Sequence, residues 1–306
     1  MLKYTEKKRK KMEKLNQQET IIKDTSETIR VRNLKMAYQK SFLNWFVGFV
    51  EGNENVFIVN RRYLRFEINV SLKNQALVYY IKNNLGFGKI RKLKFLGGVI
   101  LEFSVQENII NLLKLIHIFN GNLRCKNKEL NFSLFYKKLR TKLKKLDLLY
   151  LLPDYIPLLA TVSLTNSWLL GFIEMRGLFN ARWHKSKKLK EGKELYSNFI
   201  FWHLDSDLLK KIKNILNLSN KIESKVKWNL PFYKLEVEHI NEKLIIINYL
   251  NNFKLKGDKV YRYKYWKQLF DVECIYSQNG EQNFEEIEKL LKKLNLTIEE
   301  GELSKL

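Results

Sequence analysis

Hydrophobic and polar positions alternate along this chain with two periods. Residues 64–70 carry apolar side chains at every second position, and 56–59 form a short apolar run, so both read as strands with a buried face. Residues 77–85 and 109–119 place them at three- and four-residue spacing, which predicts amphipathic helices. Between these, 89–94 and 99–105 flank Gly97-Gly98 and predict a hairpin. The succession then returns: strands 178–184 and 196–202, helix 208–216, strands 221–228 and 233–237, helix 244–253.

Each succession opens on a helical stretch, and the two openings match. Asn44-Trp45-Phe46-Val47-Gly48-Phe49-Val50-Glu51 and Ser167-Trp168-Leu169-Leu170-Gly171-Phe172-Ile173-Glu174 share Trp, Gly, Phe and Glu at the same offsets, 123 residues apart. The order α-β-β-α-β-β-α therefore occurs twice, an α+β architecture of two internal repeats. It divides the chain into a basic arm (1–40), a first repeat (41–140), a linker (141–163) marked by Pro153 and Pro157, a second repeat (164–270) and an acidic extension (271–306). The extension predicts one amphipathic helix, with Phe284, Ile287, Leu290, Leu291 and Leu294 on one face.

Charge changes the picture from fold to partner. The 306 residues carry a formal net charge of +24. The arm holds +7 and the extension −5, leaving +22 on residues 41–270. So large an excess within the folded core predicts a polyanionic partner. Cys125 and Cys274, with His117, His184, His203 and His239, have no zinc-ligand spacing. No uninterrupted apolar run is long enough to span a bilayer, so no membrane partner is expected. Alanine occurs four times, while Lys, Asn, Ile, Leu, Phe and Tyr dominate. That bias fits AT-rich codons and an organelle genome, with the mitochondrion as the expected location.

The two matched openings resemble the motif of the LAGLIDADG homing endonucleases and maturases, in the single-chain two-repeat form. Leu85-Gly86-Phe87-Gly88-Lys89-Ile90 is similar to the family's LGxGxI turn, and Tyr263-Lys264-Tyr265-Trp266-Lys267 to its Y-x-x-W-K ending. The resemblance implies a saddle of two curved antiparallel sheets about a pseudo-twofold axis, in a monomer. The two motif helices would pack through Gly48 and Gly171, which lack Cβ and permit close approach. It also implies an acidic residue at the eighth motif position of each helix, the two together holding divalent metal. Here those positions are Asn53 and Arg176. An amide is a weak ligand, and a cation repels metal by several kcal/mol as an order of magnitude in a partly dehydrated cleft. Lys73 matches a basic residue near the family's site; the second repeat has Leu204 there. Glu51 and Glu174, at the sixth position, point away from the metal position and are expected to hydrogen-bond at helix ends.

The expected nucleic-acid-binding residues are Arg61, Arg62, Arg65, Lys73, Lys89, Arg91, Lys92 and Lys94 in the first repeat. In the second they are Arg182, Lys185, Lys187, Lys188, Lys190, Lys225 and Lys227, with Trp183 and Trp228 among them as candidate base-stacking groups or core. From the missing acids and the charge, the expectation is a non-cleaving protein without a cofactor. It would bind RNA in preference to double-stranded DNA, as a structural component of a mitochondrial ribosome in contact with ribosomal proteins. Alternatives are a group I intron maturase, a DNA-binding regulator, and a homing endonuclease with an atypical active site, the last requiring Mg2+.

Overall fold

The computed structural model describes residues 39–297, except 55, 61–62, 96–97, 107, 158, 186–191, 228–229 and 280–282. The basic arm, Arg61, Arg62, Lys187, Lys188, Lys190 and Trp228 lie outside the described residues.

In the first repeat, α1 (Lys40–Gly52) leads into β1 (Phe57–Val59) and β2 (Leu64–Ser71). A 3-10 turn, Leu72–Asn74, then precedes α2 (Gln75–Leu85), β3 (Lys89–Phe95), β4 (Gly98–Gln106), α3 (Ile109–Phe119) and α4 (Lys126–Lys144). The second repeat runs α5 (Trp168–Arg176), β5 (Gly177–Lys185), β6 (Lys193–His203), α6 (Ser206–Leu216), β7 (Glu223–Lys227), β8 (Leu230–Val237), α7 (Ile240–Asn252) and α8 (Lys259–Asn279). A last helix, α9 (Phe284–Leu296), follows. Each repeat forms a four-stranded antiparallel sheet, ordered β1-β2-β4-β3 and β5-β6-β8-β7. The two orders are the same topology, so the internal duplication holds at the level of strand pairing.

Each repeat carries one helix more than the sequence pattern predicts. Helix α4 extends to Lys144, past residue 141 where the linker is expected to begin. Helix α8 contains the whole Tyr263–Lys267 stretch. Its buried side includes Lys259 and Arg262, and these polar residues hide its periodicity.

Strand β2 shows why the sheets are two-faced. Leu64, Phe66, Ile68 and Val70 are buried, and Arg65, Glu67, Asn69 and Ser71 between them are half-buried on the opposite face. Between the two sheets lie α1 and α5, nearly all core: Trp45, Phe46, Phe49, Trp168 and Phe172 are fully buried. Turn chemistry follows the sequence where it matters. Gly86 ends α2 with φ 72°, and Gly88, at φ 98°, lies where an added Cβ would come 2.2 Å from the Phe103 ring.

The extension helix packs on the body of the protein. Ile287, Leu291 and Leu294 are buried against the core, and Phe284 stacks on Trp183 with centroids 5.3 Å apart.

Candidate nucleic-acid interface and helix-tip site

The site is built on the contact between α1 and α5. A Cβ added to Gly48 would lie 1.9 Å from the Trp168 carbonyl oxygen, and one added to Gly171 would lie 1.9 Å from the Trp45 carbonyl oxygen. The two close approaches mirror each other, so the helices cross with backbone against backbone and their C-terminal tips emerge together.

Glu51 and Glu174 sit within the last turn of α1 and α5 and serve as anchors. The Glu51 carboxylate accepts the backbone N–H groups of Arg124 and Cys125, each at 2.5 Å, and the Trp168 indole N–H at 2.6 Å. It thereby caps α4. Glu174 accepts the N–H groups of Lys256 (2.5 Å) and Gly257 (3.2 Å), just ahead of α8. Burial raises the pKa of both carboxyls, against the lowering effect of these donors. Both Glu51 oxygens and Glu174 Oε1 are thus engaged by donors from segments that precede or begin helices.

The tip residues form a connected set across the two repeats. Asn53 is buried and donates its side-chain N–H to the Asn69 carbonyl at 3.2 Å. Arg176 donates Nε to the Gly52 carbonyl at 2.5 Å and its Nη2 to Glu54 Oε1 at 3.0 Å. Lys128, from α4, is buried and donates its ammonium to the Glu54 carbonyl. Burial is the main force lowering its pKa to about 8, and the Arg176 charge adds to it. Below lies His203, with its Nδ1 accepting the Asp205 N–H at 3.0 Å and its Nε2 against the Glu51 carbonyl at 3.1 Å. That pattern fixes a neutral ring with the proton on Nε2, and burial first, then Arg176, pushes its pKa down to about 4. Asp205 ties the halves further. It caps α6 through the N–H groups of Asp207 and Leu208, and accepts from the N–H of Lys126 and the thiol of Cys125.

These donors do not fit the pair of divalent cations that two opposed carboxylates would hold. The first tip offers the Asn53 amide and the Glu54 carboxylate; the second offers a guanidinium. Two tip carbonyls, those of Gly52 and Glu54, already accept from Arg176 and Lys128. Among the described residues no cluster of three or more His, Cys, Asp or Glu side chains is placed to hold a metal ion.

Strand register sorts the basic residues by face. On the first sheet, Lys89 pairs with Ser104 and Arg91 with Glu102, on the polar face with Arg65, Glu67 and Asn69. Lys92 pairs with Leu101 and Lys94 with Val99, so both lie on the core side, exposed beyond the core. Arg65 bridges two carboxylates, Glu67 at 3.0 Å and Glu102. Lys73 is exposed on the 3-10 turn after β2. On the second sheet Arg182 and Lys225 share the polar face. Lys185, opposite Lys193, lies on the core side. Trp183 lies there too, stacked on Phe284 and covered by Lys193 at 4.6 Å, which makes it a packing residue.

Four residues of the interface and tip go unmarked in the sequence reading. Trp202 and Phe232 sit together on the second polar face, ring centroids 5.5 Å apart, with Lys234 paired opposite Trp202. The period of two within β6 carries that signal. Lys128 is the fourth. It reaches the tip from a helix 74 residues away in sequence, and no local pattern shows that.

The fold is a duplicated α+β architecture with paired glycine-bearing helices and one polar face on each sheet. The LAGLIDADG endonuclease family model matches residues 46–139 and 169–270, more than half of the chain, one match to each repeat. The chain belongs to that family. It is 26% identical over 262 residues to a probable intron-encoded endonuclease 4 of Neurospora crassa, covering 85% of this chain and 45% of that protein. It is 28% identical over 254 residues to the probable intron-encoded endonuclease Cox1-I1b of Schizosaccharomyces pombe, covering 74% of this chain and 64% of that one. The intron-encoded RNA maturase bI4 of Saccharomyces cerevisiae is 24% identical over 195 residues, covering 56% of this chain and 28% of the maturase. The chain thus spans less than two thirds of the length of each of these relatives. The fold is that of the I-LtrWI LAGLIDADG homing endonuclease solved bound to its target DNA, with a TM-score of 0.62 at 22% identity, covering 84% of this chain and 98% of that one.

These relatives correct two expectations. They carry the names of intron-encoded endonucleases and a maturase, which replaces the ribosomal reading. The expectation of a chain that does not cut is corrected with it, because the relatives' names point to an enzyme. The structure supplies a physical reason. The repulsion argument treats Arg176 as an uncompensated cation, whereas Glu54 lies at the same tip and pairs with it. No described helix is long and apolar enough to cross a membrane.

Proposed function

We propose that this chain is an intron-encoded homing endonuclease with an atypical active site, acting in the mitochondrion. It grips a long DNA duplex with the polar faces of its two sheets and acts on the backbone at the tips of α1 and α5. The observation that carries this reading is the mirrored glycine contact, which delivers Glu54 and Arg176 from opposite repeats to one point between the sheets. Hydrolysis there joins a water oxygen to phosphorus and breaks one bridging P–O bond. Glu54 is the exposed carboxylate at the tip that takes the water proton, and the departing oxygen takes a proton from solvent water. The Arg176 guanidinium meets the charge on the phosphoryl oxygens. Sequencing the ends produced from a randomised duplex library in magnesium buffer tests this. Recurrent cuts within one extended sequence are the expected result; a library left intact overturns it.

A second reading, a maturase that binds group I intron RNA in preference to duplex DNA, is favoured by Asn53 and Arg176 standing where the resemblance implies acids. Its support among the relatives is the protein named as an RNA maturase. Splicing of the host intron in the chain's presence, alongside an uncut library, would select it.

A further inference from the structure

The outer side of α4 carries a strip of cations with no acid among them. Its last two turns read Lys137-Lys138-Leu139-Arg140-Thr141-Lys142-Leu143-Lys144, and Lys137, Arg140 and Lys144 are exposed. Spaced three and four residues apart, these three line one side of the helix over about 10 Å. The single acid of α4 is Glu129, two turns earlier, and it accepts the Tyr155 hydroxyl. Exposed lysines of other helices are matched nearby: Lys210 with Asp207 at 2.9 Å, and Lys267 with Asp271 at 2.8 Å. Among the described residues, Lys137, Arg140 and Lys144 have no ion pair. The helix dipole favours a cation in the last turn, which accounts for Lys144. It does not account for Lys137 and Arg140, which precede that turn.

This strip lies apart from the polar sheet faces. Phe132 and Phe135 pack α4 against Phe57, with centroids 5.3 and 5.5 Å apart, and Phe57 pairs with the buried Phe66 on the core side of the first sheet. DNA has a persistence length of about 150 base pairs, so a duplex lying on the polar faces does not turn back to reach α4. The strip therefore suits a separate polyanion. Tyr150 follows it, 52% exposed, on the 3-10 turn Leu149–Leu151 that packs back on α4. Cations followed by an open ring match a folded RNA, which offers phosphates to the one and an unpaired base to the other. A fully paired duplex keeps its base faces stacked and has nothing for the ring.

We infer that the outer side of α4, through Lys137, Arg140, Lys144 and Tyr150, is a docking surface for a folded RNA that presents its phosphate backbone next to an unpaired base. RNA and a DNA duplex are then held at the same time, on different sides of the first repeat. The surface does not depend on DNA cleavage at the helix tips. An anionic lipid surface is the competing occupant, because Leu130 and Leu134 of the same helix are 51% and 54% exposed. The apolar face of α4 is already buried in the core, however, and two leucines leave little apolar area to insert into lipid.

The test reads binding, not cutting. Fluorescence anisotropy of a labelled RNA hairpin with an unpaired loop of mixed sequence is followed through a sodium chloride series, with the full chain. A mixed-sequence DNA duplex and vesicles containing anionic lipid are the comparison probes. The triple variant K137Q/R140Q/K144Q should weaken RNA binding about ten-fold and reduce the slope of log K against log salt by about two. It should leave DNA affinity unchanged. Y150A should weaken binding of the hairpin, keep its salt slope, and leave a fully paired RNA unaffected. RNA should stay bound when the DNA duplex is added to saturation. All four positions are exposed, so these variants do not put folding at risk. RNA affinity unchanged in the triple variant overturns the inference. So does an equal loss for RNA and DNA, which would be general electrostatics, or displacement of the RNA by the duplex, which would put both on the sheets. Vesicle binding that the triple variant abolishes while RNA binding persists would assign the strip to a membrane instead. If the endonuclease reading alone fails, the duplex stays uncut in magnesium while the effects on RNA persist.

Discussion

Glu51 of the first repeat accepts the indole N–H of Trp168 of the second at 2.6 Å, both groups fully buried, and the mirror-related pair does not repeat the bond. In the other half, Trp45 Nε1 and Glu174 Oε2 are each buried without a hydrogen-bond partner. The internal symmetry therefore holds in strand order and in the glycine contact, and is broken in polar contacts. Trp168→Phe is expected to destabilise by roughly 1–3 kcal/mol, because it strips a donor from a buried carboxyl. Trp45→Phe removes an unpartnered donor and should cost clearly less. Denaturant melts of the two variants give the comparison, and equal losses would refute the asymmetry.

Exposed helix glycines normally gain about 1 kcal/mol on replacement by alanine. Gly48→Ala should do the reverse here. The new Cβ would sit 1.9 Å from the Trp168 carbonyl oxygen, so the helices must separate. A loss on the order of 3 kcal/mol is expected in a thermal or urea melt. The same holds for Gly171→Ala against Trp45. A neutral or stabilised variant would mean that the helices do not cross at these glycines.

His203 makes stability depend on pH with a defined sign. Its folded pKa is lowered to about 4 from an ordinary 6.5. As pH falls below 6.5 the unfolded chain takes up a proton that the folded one does not, so stability is lost between pH 6.5 and 4 and does not change further below that. The full effect is about 3 kcal/mol. His203→Gln keeps a donor and an acceptor but cannot titrate. The difference between wild-type and variant stability should change across this window and be flat above it.

Lys243 is fully buried and its ammonium bonds both Glu273 oxygens at 2.8 Å, the Ser197 carbonyl at 3.0 Å and the Ser197 hydroxyl at 3.2 Å. This cluster ties α7 and α8 to β6. Lys243→Met alone should destabilise by about 3–5 kcal/mol, since it leaves Glu273 half-buried and unmatched. The double variant with Glu273→Leu should recover most of that loss. Chemical denaturation of the single and double variants reads the coupling, and additive losses would count against it.

The repeat order was legible in the sequence because it leaves a local mark in each half. Periodicity reports which face of a strand is buried, and the matched openings at Trp45 and Trp168 report the duplication. The α4 helix was legible in principle, with Phe132, Phe135, Tyr136, Leu139 and Leu143 at helical spacing and all buried. The state of Arg176 was not, because its partner Glu54 lies 122 residues away and no spacing rule joins them. The basic residues of β3 also divide differently from their clustering in sequence. Neighbours such as Arg91 and Lys92 must point to opposite faces, so proximity along the strand is not proximity in space.

The most direct measurement is strand-resolved mapping of the cut positions within the nuclease footprint of the bound chain, on a duplex selected from the randomised library in magnesium. The tips of α1 and α5 lie between the two sheets, so cuts on both strands should fall near the centre of the protected region. Glu54→Gln should abolish them while leaving the footprint intact. A footprint with no cut inside it, or cuts at its edge that survive Glu54→Gln, would contradict the account.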